Sequence, residues 1–268
     1  NRMAPPPVVN PWMSSDINTL HQPNPKVRLD QLLVELDHYP SRARARDAIL
    51  RGTVTVDGKT ASKPGQTVNP DCQIQITDDA QGYVSRAALK LKHGLDHFEL
   101  DVAGLHALDI GASTGGFTQV LLEAGVASVH AIDVGHGQLD EDLRDDGRVI
   151  AIEGLNARDL TADHLEGPVN LIVCDVSFIS LTLALPAALE LAEPGAVLVS
   201  LIKPQFEIGR DKLGKGGVVR DRLLATAVCD VIANWLEQEQ HWQVIGTTSS
   251  PITGADGNHE FLIAARKT

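Results

Sequence analysis

Hydrophobic positions change their period several times along the chain. Over residues 27–36 they fall at helical spacing, and a second helix is predicted with Ser41 as N-cap, running through Ala45, Ala48 and Ile49 until Gly52 ends it. The period then shortens to two at Val54 and Val56, Asp57-Gly58 supplies a hairpin turn, and residues 73–76 read as a further strand. After the polar stretch 78–82, which suits a linker, a helix is predicted over 85–95. Strand-like runs at 107–110, 128–132, 149–152, 170–174 and 196–202 then alternate with helical stretches, the signature of a doubly wound parallel sheet. The runs at 241–249 and 258–265 have little room for a helix between them and predict an antiparallel pair at the sheet edge. The fold class expected is α/β, a mostly parallel sheet with an antiparallel edge strand, preceded by a small α+β module. Its domains would be 27–82 and 83–268. Residues 1–26, rich in proline and without a basic-then-apolar signal pattern, read as a disordered leader or a cloning remnant.

Charge sharpens this division. The 268-residue chain carries a formal charge of −12, which argues against non-specific coating of nucleic acid. Yet residues 1–82 hold nine Lys/Arg against nine Asp/Glu, whereas 83–268 hold fourteen against twenty-six. Within 26–64 the balance is eight basic to five acidic, and Arg42, Arg44, Arg46 and Arg51 crowd one predicted helix, where they could contact phosphates. The apolar runs fall far short of the roughly 20 residues a membrane-spanning helix needs. Three widely separated cysteines, Cys72, Cys174 and Cys229, fit neither a disulfide framework nor a zinc site and suit a reducing cytoplasm. The histidines show no ligand-like spacing, so no metal is expected.

Candidate chemistry gathers at the predicted strand ends. Asp109 closes the first strand of the sheet and leads into Gly111-Ala-Ser113-Thr114-Gly115-Gly116-Phe117 and a helix, a unit suited to a nucleoside or phosphate. Ser113 stands where a dinucleotide fingerprint needs glycine, which disfavours a nicotinamide cofactor. Asp133, about twenty residues on at the end of the next strand, can accept from both hydroxyls of a ribose. Asp175 ends the fourth strand and Lys203 the fifth, at the carboxyl edge where open α/β sheets build their sites. The run Gly209 to Gly216 approximates a phosphate-binding loop but lacks its Ser/Thr, and reads as a mobile substrate loop.

Three resemblances follow from these motifs. R28-L-D30, S41-R42-x-x-A45 and R51-G52-x-V54-x-V56-x-G58-K59 resemble the S4 RNA-binding domain, which implies RNA contacts from Arg28, Ser41, Arg42, Arg44, Arg46, Arg51 and Lys59. D109-I-G111-A-S-T-G115-G116-F117-T118 with A131-I-D133-V-G135 resembles the S-adenosylmethionine motifs of FtsJ-like ribose methyltransferases, and the order Lys90, Asp175, Lys203, Glu260 matches the K-D-K-E arrangement of ribose 2′-O-methyltransferases. Asp175 lacks the paired prolines typical of amine-directed methyltransferases, so this likeness implies an oxygen acceptor. A hydroxyl is a poor nucleophile, and the likeness makes Lys203 the preferred base, provided it is neutral when it takes the proton. Y83-V-S-R86-x-x-x-K90-L, E153-G-x-N156-x-R158, D175-V-S-F178-I-S180-L and K203-P-Q-F206-E207 look like the TlyA group of rRNA methyltransferases, also catalogued as haemolysin A. The likeness implies a Rossmann-like class I methyltransferase sheet behind an S4 domain. It implies S-adenosylmethionine held by Asp109, Gly111, Ser113, Thr114, Gly115, Gly116, Phe117, Asp133, Asn156 and Asp175, and ribosomal RNA or subunits engaged also by Arg86. The activity implied is methylation of a cytidine 2′-hydroxyl of rRNA in the cytoplasm. Two rivals are a non-catalytic ribosome-binding relative and a membrane-lytic haemolysin; no long amphipathic or apolar stretch supports the second.

Overall fold

The computed structural model describes residues 25–209, 213–214, 216–219, 221–254 and 257–268. The expected leader therefore lies almost entirely outside the described residues, as do positions 210–212 and 215 of the expected substrate loop. The chain forms two compact units, dividing at Asp78/Asp79.

In the small unit, β1 (Val27–Arg28) precedes α1 (Leu29–Glu35), so the first residues of the expected helix are instead extended. The reason is a partner: β1 pairs antiparallel with β4 (Thr67–Val68), setting β-branched Val27 opposite Val68. Helix α2 (Arg42–Leu50) starts where Ser41 Oγ accepts from Arg44 N at 3.3 Å. Strands β2 (Val54–Val56) and β3 (Lys59–Thr60) form the expected hairpin, and β5 (Ile74–Ile76) pairs with the other side of β2. Asp57 and Gly58 both have positive φ, 49° and 75°, as a two-residue type I′ turn requires. Leu29, Leu33, Ala45, Ile49 and Val54 pack the unit's core.

The large unit runs α3 (Ala88–His97), β6 (His106–Ile110), α4 (Gly116–Glu123), β7 (Ser128–Asp133), α5 (Glu141–Arg144), β8 (Val149–Glu153), β9 (Leu171–Cys174), α6 (Leu181–Ala184), α7 (Pro186–Leu191), β10 (Val197–Ile202), α8 (Pro204–Glu207), α9 (Arg222–Gln238), β11 (Trp242–Ser249) and β12 (Phe261–Lys267). Its seven strands are ordered β11-β12-β10-β9-β6-β7-β8. Five neighbouring strands are parallel, and β12 runs antiparallel between β10 and β11. The expected antiparallel pair is present, with its reversed member on the inside. Alternate residues of each strand feed two cores: Leu108, Ile172 and Leu198 meet Leu185, Ile232 and Trp235, while Ala107, Val173 and Val199 meet Leu91 and Leu121. Helices thus cover both faces, as a sheet buried on both sides demands. The chain winds from β6 outward to β8 and then crosses back to β9, so the strand order reverses between β6 and β9, where open α/β sheets bind ligands. Among the described residues, no helix is long and apolar enough to cross a membrane.

Candidate active site

The loop after β6 is shaped by what crowds it. Gly111 has φ +83°, and a Cβ there would lie 2.8 Å from the carbonyl oxygen of Asp175. A Cβ on Gly115, at φ +98°, would collide with Leu139 and Leu143. These glycines, expected to let a ligand approach the backbone, make room first for neighbouring protein. Ser113 takes a left-handed φ of 50°, a costly conformation for a side chain other than glycine, and donates its N–H to Asp133 Oδ2 at 2.8 Å. Gly135 N–H donates to the other oxygen at 2.7 Å. Asp133 is therefore fixed by one amide per oxygen, with lone pairs left over for hydroxyl donors.

Two cavities meet at this loop. The larger, about 490 Å³, has apolar walls from Ile132, Val134, Leu155 and Ile179, with Asp133, Gln138 and Asn156 among its polar groups. Asn156 Oδ1 caps the turn that follows by accepting from Arg158 N at 3.1 Å and Nε at 3.2 Å. The smaller, about 190 Å³, is polar, lined by Ser85, Thr114, Asp175, Ser177 and Lys203 among others. Gly111, Ser113, Asp175 and Ser177 border both. Gly116 and Phe117 also line the smaller cavity, Phe117 from within the core. Beneath the loop, Asp109 is fully buried; Thr118 Oγ1 donates to its Oδ2 at 2.7 Å, and its Oδ1 has no partner. Burial, above all, pushes its carboxyl up to about 7, with the nearby Asp175 and Asp133 charges adding to the shift.

The four candidate catalytic residues come together at the carboxyl edge. Ile202 pairs with Phe261 across β10 and β12, so Lys203 and Glu260 leave the sheet side by side. Lys90, from α3, donates to Glu260 Oε2 at 2.5 Å, both side chains being buried. Lys203 Nζ lies 2.5 Å from Asp175 Oδ1, but that oxygen has no aligned hydrogen bond; the lysine's aligned bond goes to Ser177 Oγ at 2.9 Å. Among the described residues, no group of three or more His, Cys, Asp or Glu could hold a metal ion.

Several site residues had no role in the sequence reading, although their motifs were visible. Ser177 aims Lys203. Phe178 is 90% exposed at φ 66°, a strained backbone for a bulky residue, and its ring lies 5.1 Å from that of Phe206. Glu207 accepts from Ser180 Oγ at 2.6 Å and Leu181 N at 2.9 Å, and its burial raises its carboxyl above the ordinary value. Glu207 thus fastens the segment after β9 to the helix after Lys203. Such cross-loop contacts leave no periodic trace in a sequence.

Residues 83–267 match the model of the FtsJ-like methyltransferase family, and residues 27–74 match the S4 domain. The chain belongs to the FtsJ-like methyltransferases. It is 44% identical to the 16S/23S rRNA (cytidine-2'-O)-methyltransferase TlyA of Mycobacterium tuberculosis, over 90% of each chain. It is 38% identical to Hemolysin A of Brachyspira hyodysenteriae, covering 88% of this chain and 98% of that one. A solved structure of a hemolysin candidate from Streptococcus thermophilus superposes with a TM-score of 0.72 at 38% identity, covering 91% of this chain and 89% of the other.

In this methyltransferase the residues expected to touch RNA divide by environment. Arg28 donates to Asp30 at 3.0 and 2.9 Å, and Arg42 donates to the same carboxylate at 3.0 Å. Roughly half of each arginine side chain stays exposed, 44% and 54%. Arg51 is held more tightly: it grips Asp78 with two bonds of 2.7 and 2.8 Å and Asp47 with one of 2.8 Å, leaving a mostly buried guanidinium that fastens the unit. Arg44 is half-buried, and burial lowers its pKa. Ser41 serves as a helix cap, Arg46 and Lys59 are exposed, and Arg86 is half-buried in the large unit.

Proposed function

We propose that the chain transfers a methyl group from S-adenosylmethionine to a ribose 2′-hydroxyl of ribosomal RNA, with cytidine as the acceptor named for its relatives. Residues 83–268 would carry the chemistry and residues 27–82 would hold the RNA, in the cytoplasm where ribosomes are. The cavities support the cofactor: an apolar chamber with a ribose-binding carboxylate opens into a polar one sized for an amino-acid end, and the unpartnered Asp109 Oδ1 lies beneath their shared loop. Asp133 would accept from the ribose hydroxyls, Asn156 would meet the base, and Gly111 to Phe117 would border the rest. When bound, S-adenosylmethionine supplies an electrophilic methyl group on a sulfonium.

Lys203 carries the reading. A buried lysine held between a carboxylate and a serine hydroxyl, at the mouth of the polar cavity, is the arrangement a hydroxyl acceptor needs. As the base, Lys203 takes the proton from the 2′-oxygen at Nζ while Asp175 and Ser177 hold it in line. The Lys90–Glu260 pair flanks it and fixes the local charge. Phe178 presents an exposed ring to an unstacked base, and Arg42, Arg46 and Lys59 meet RNA phosphates.

The test is transfer of label from radioactive S-adenosylmethionine to purified ribosomal subunits that lack the modification, followed by nuclease mapping. Ribose label that disappears with Lys203→Ala supports both acceptor and base. Base-linked label overturns the acceptor, undiminished transfer by the variant overturns the base, and absence of cofactor binding overturns the enzyme.

A further inference from the structure

Asn258 stands two residues before Glu260 and is 1% exposed. Its Oδ1 accepts from Val219 N at 2.9 Å, and its Nδ2 donates to Gly217 O at 3.2 Å. Accepting from one backbone group and donating to another nearby is what a planar amide does and a carboxylate does not. The described residues around those it grips are joined as a turn: Gly214 N donates to Val218 O and Gly217 N to Gly214 O, both at 3.0 Å. On its other side, the Asn258 carbonyl accepts from Gly254 N at 2.8 Å. Gly254 packs so closely on Glu260 that a Cβ would lie 2.5 Å from Oε1. One buried residue thus grips the turn that follows the Lys203 strand with its side chain and the collar at Gly254, against Glu260, with its backbone carbonyl.

The position of this link matters because the cavities divide the sheet edge. The larger one draws its walls from the ends of β6, β7 and β9 and from residues beyond β8, and takes none from β10 or β12. With the cofactor on that side, the acceptor approaches Lys203 from the β10–β12 side, where the turn and the collar lie. On the methyl-transfer reading given above, we infer that Asn258 is a positioning residue for the RNA acceptor, holding Gly217 and Val219 in register with Glu260 so that the ribose hydroxyl meets Lys203.

The experiment uses the full chain, unmodified ribosomal subunits and S-adenosylmethionine, with Asn258→Ala and the isosteric Asn258→Asp. The aspartate retains an acceptor for Val219 but sets an oxygen against the Gly217 carbonyl. Loss of these bonds should slow single-turnover methylation by about 10- to 100-fold, the size expected when a buried bonded amide is lost and a reacting group is misplaced. Affinity for S-adenosylmethionine, measured by titration calorimetry, and for subunits, measured by filter binding, should stay within about twofold of wild type, since the bonds lost contact neither. An unchanged turnover rate overturns the inference. So does a parallel fall in cofactor affinity, which would mark a general folding role, or in subunit affinity, which would mark a docking contact. A wild-type chain that binds cofactor and subunits yet transfers nothing overturns the methyl-transfer reading itself, a result separable from any difference among variants.

Discussion

Asp30 and Asp109 are both fully buried carboxylates, one in each unit, and they are treated in opposite ways. Asp30 collects three hydrogen bonds from Arg28 and Arg42, and the Arg28 bond above all holds it down at about 2. Asp78 is completed in the same manner by Arg51 and by the hydroxyl of Tyr39 at 2.8 Å. Asp109 receives one hydroxyl, keeps an oxygen unpartnered and is driven up to about 7 by burial. The small unit closes its buried charges with its own cations and gains rigidity. The large unit leaves Asp109 Oδ1 and Asp175 Oδ1 without hydrogen bonds, and Asp175 borders both cavities, where binding of another molecule would offset the cost.

The contrast can be broken most sharply at Lys203. Lys203→Ala should lower the methylation rate by about 10³-fold, within the usual range for loss of a general base. A rate within tenfold of wild type would show that the base lies elsewhere. In the small unit the equivalent cut is structural. Asp78→Asn leaves the mostly buried Arg51 guanidinium with Asp47 as its one remaining carboxylate partner among those described and should cost about 3 kcal/mol of that unit's stability in urea unfolding, with cofactor affinity retained. A loss below about 1 kcal/mol would mean that water replaces the carboxylate there.

The opposite pKa directions predict opposite pH dependences. Asp109 holds its proton more tightly folded than unfolded, so its contribution is complete below its ordinary value of 3.8 and declines as pH rises through about 7. Asp30 contributes fully above 3.8 and loses that contribution as pH falls through about 2. Unfolding followed from pH 4.5 to 7.5 should therefore show a downward slope, at most about 1.4 kcal/mol per pH unit from one group, that Asp109→Asn removes and Asp30→Asn leaves in place. An unchanged slope in Asp109→Asn would refute the raised pKa. The smallest effect is at a helix end: Ser41→Ala should cost about 1 kcal/mol through the lost cap, seen as a lower urea midpoint.

Much of the architecture could be read before any coordinates. The alternation of apolar runs marked every strand of the parallel sheet to within a residue or two, because a strand buried on both faces has few acceptable residues. Asp57-Gly58 marked its hairpin because few residues tolerate two successive positive φ values. Position 27 misled, since its helical spacing was overridden by pairing with Val68, forty-one residues away. For the site, the order Lys90, Asp175, Lys203, Glu260 was legible only through family likeness; single charged residues carry no period. Ser177, Phe206, Glu207 and Asn258 act through contacts between loops, and nothing in the sequence pairs Arg51, among its neighbouring arginines, with Asp78.

The sequence by itself determined the two-unit α/β plan, the glycine loop and the residues available for chemistry, because local propensity and burial pattern are written into consecutive positions. Tertiary structure alone decided which lysine meets which carboxylate, which arginines are already neutralised and which carboxylate oxygen stays unpartnered. Those outcomes depend on groups tens to hundreds of residues apart, such as Lys90 and Glu260, whose charges come within 2.5 Å only when the sheet and its helices close around them.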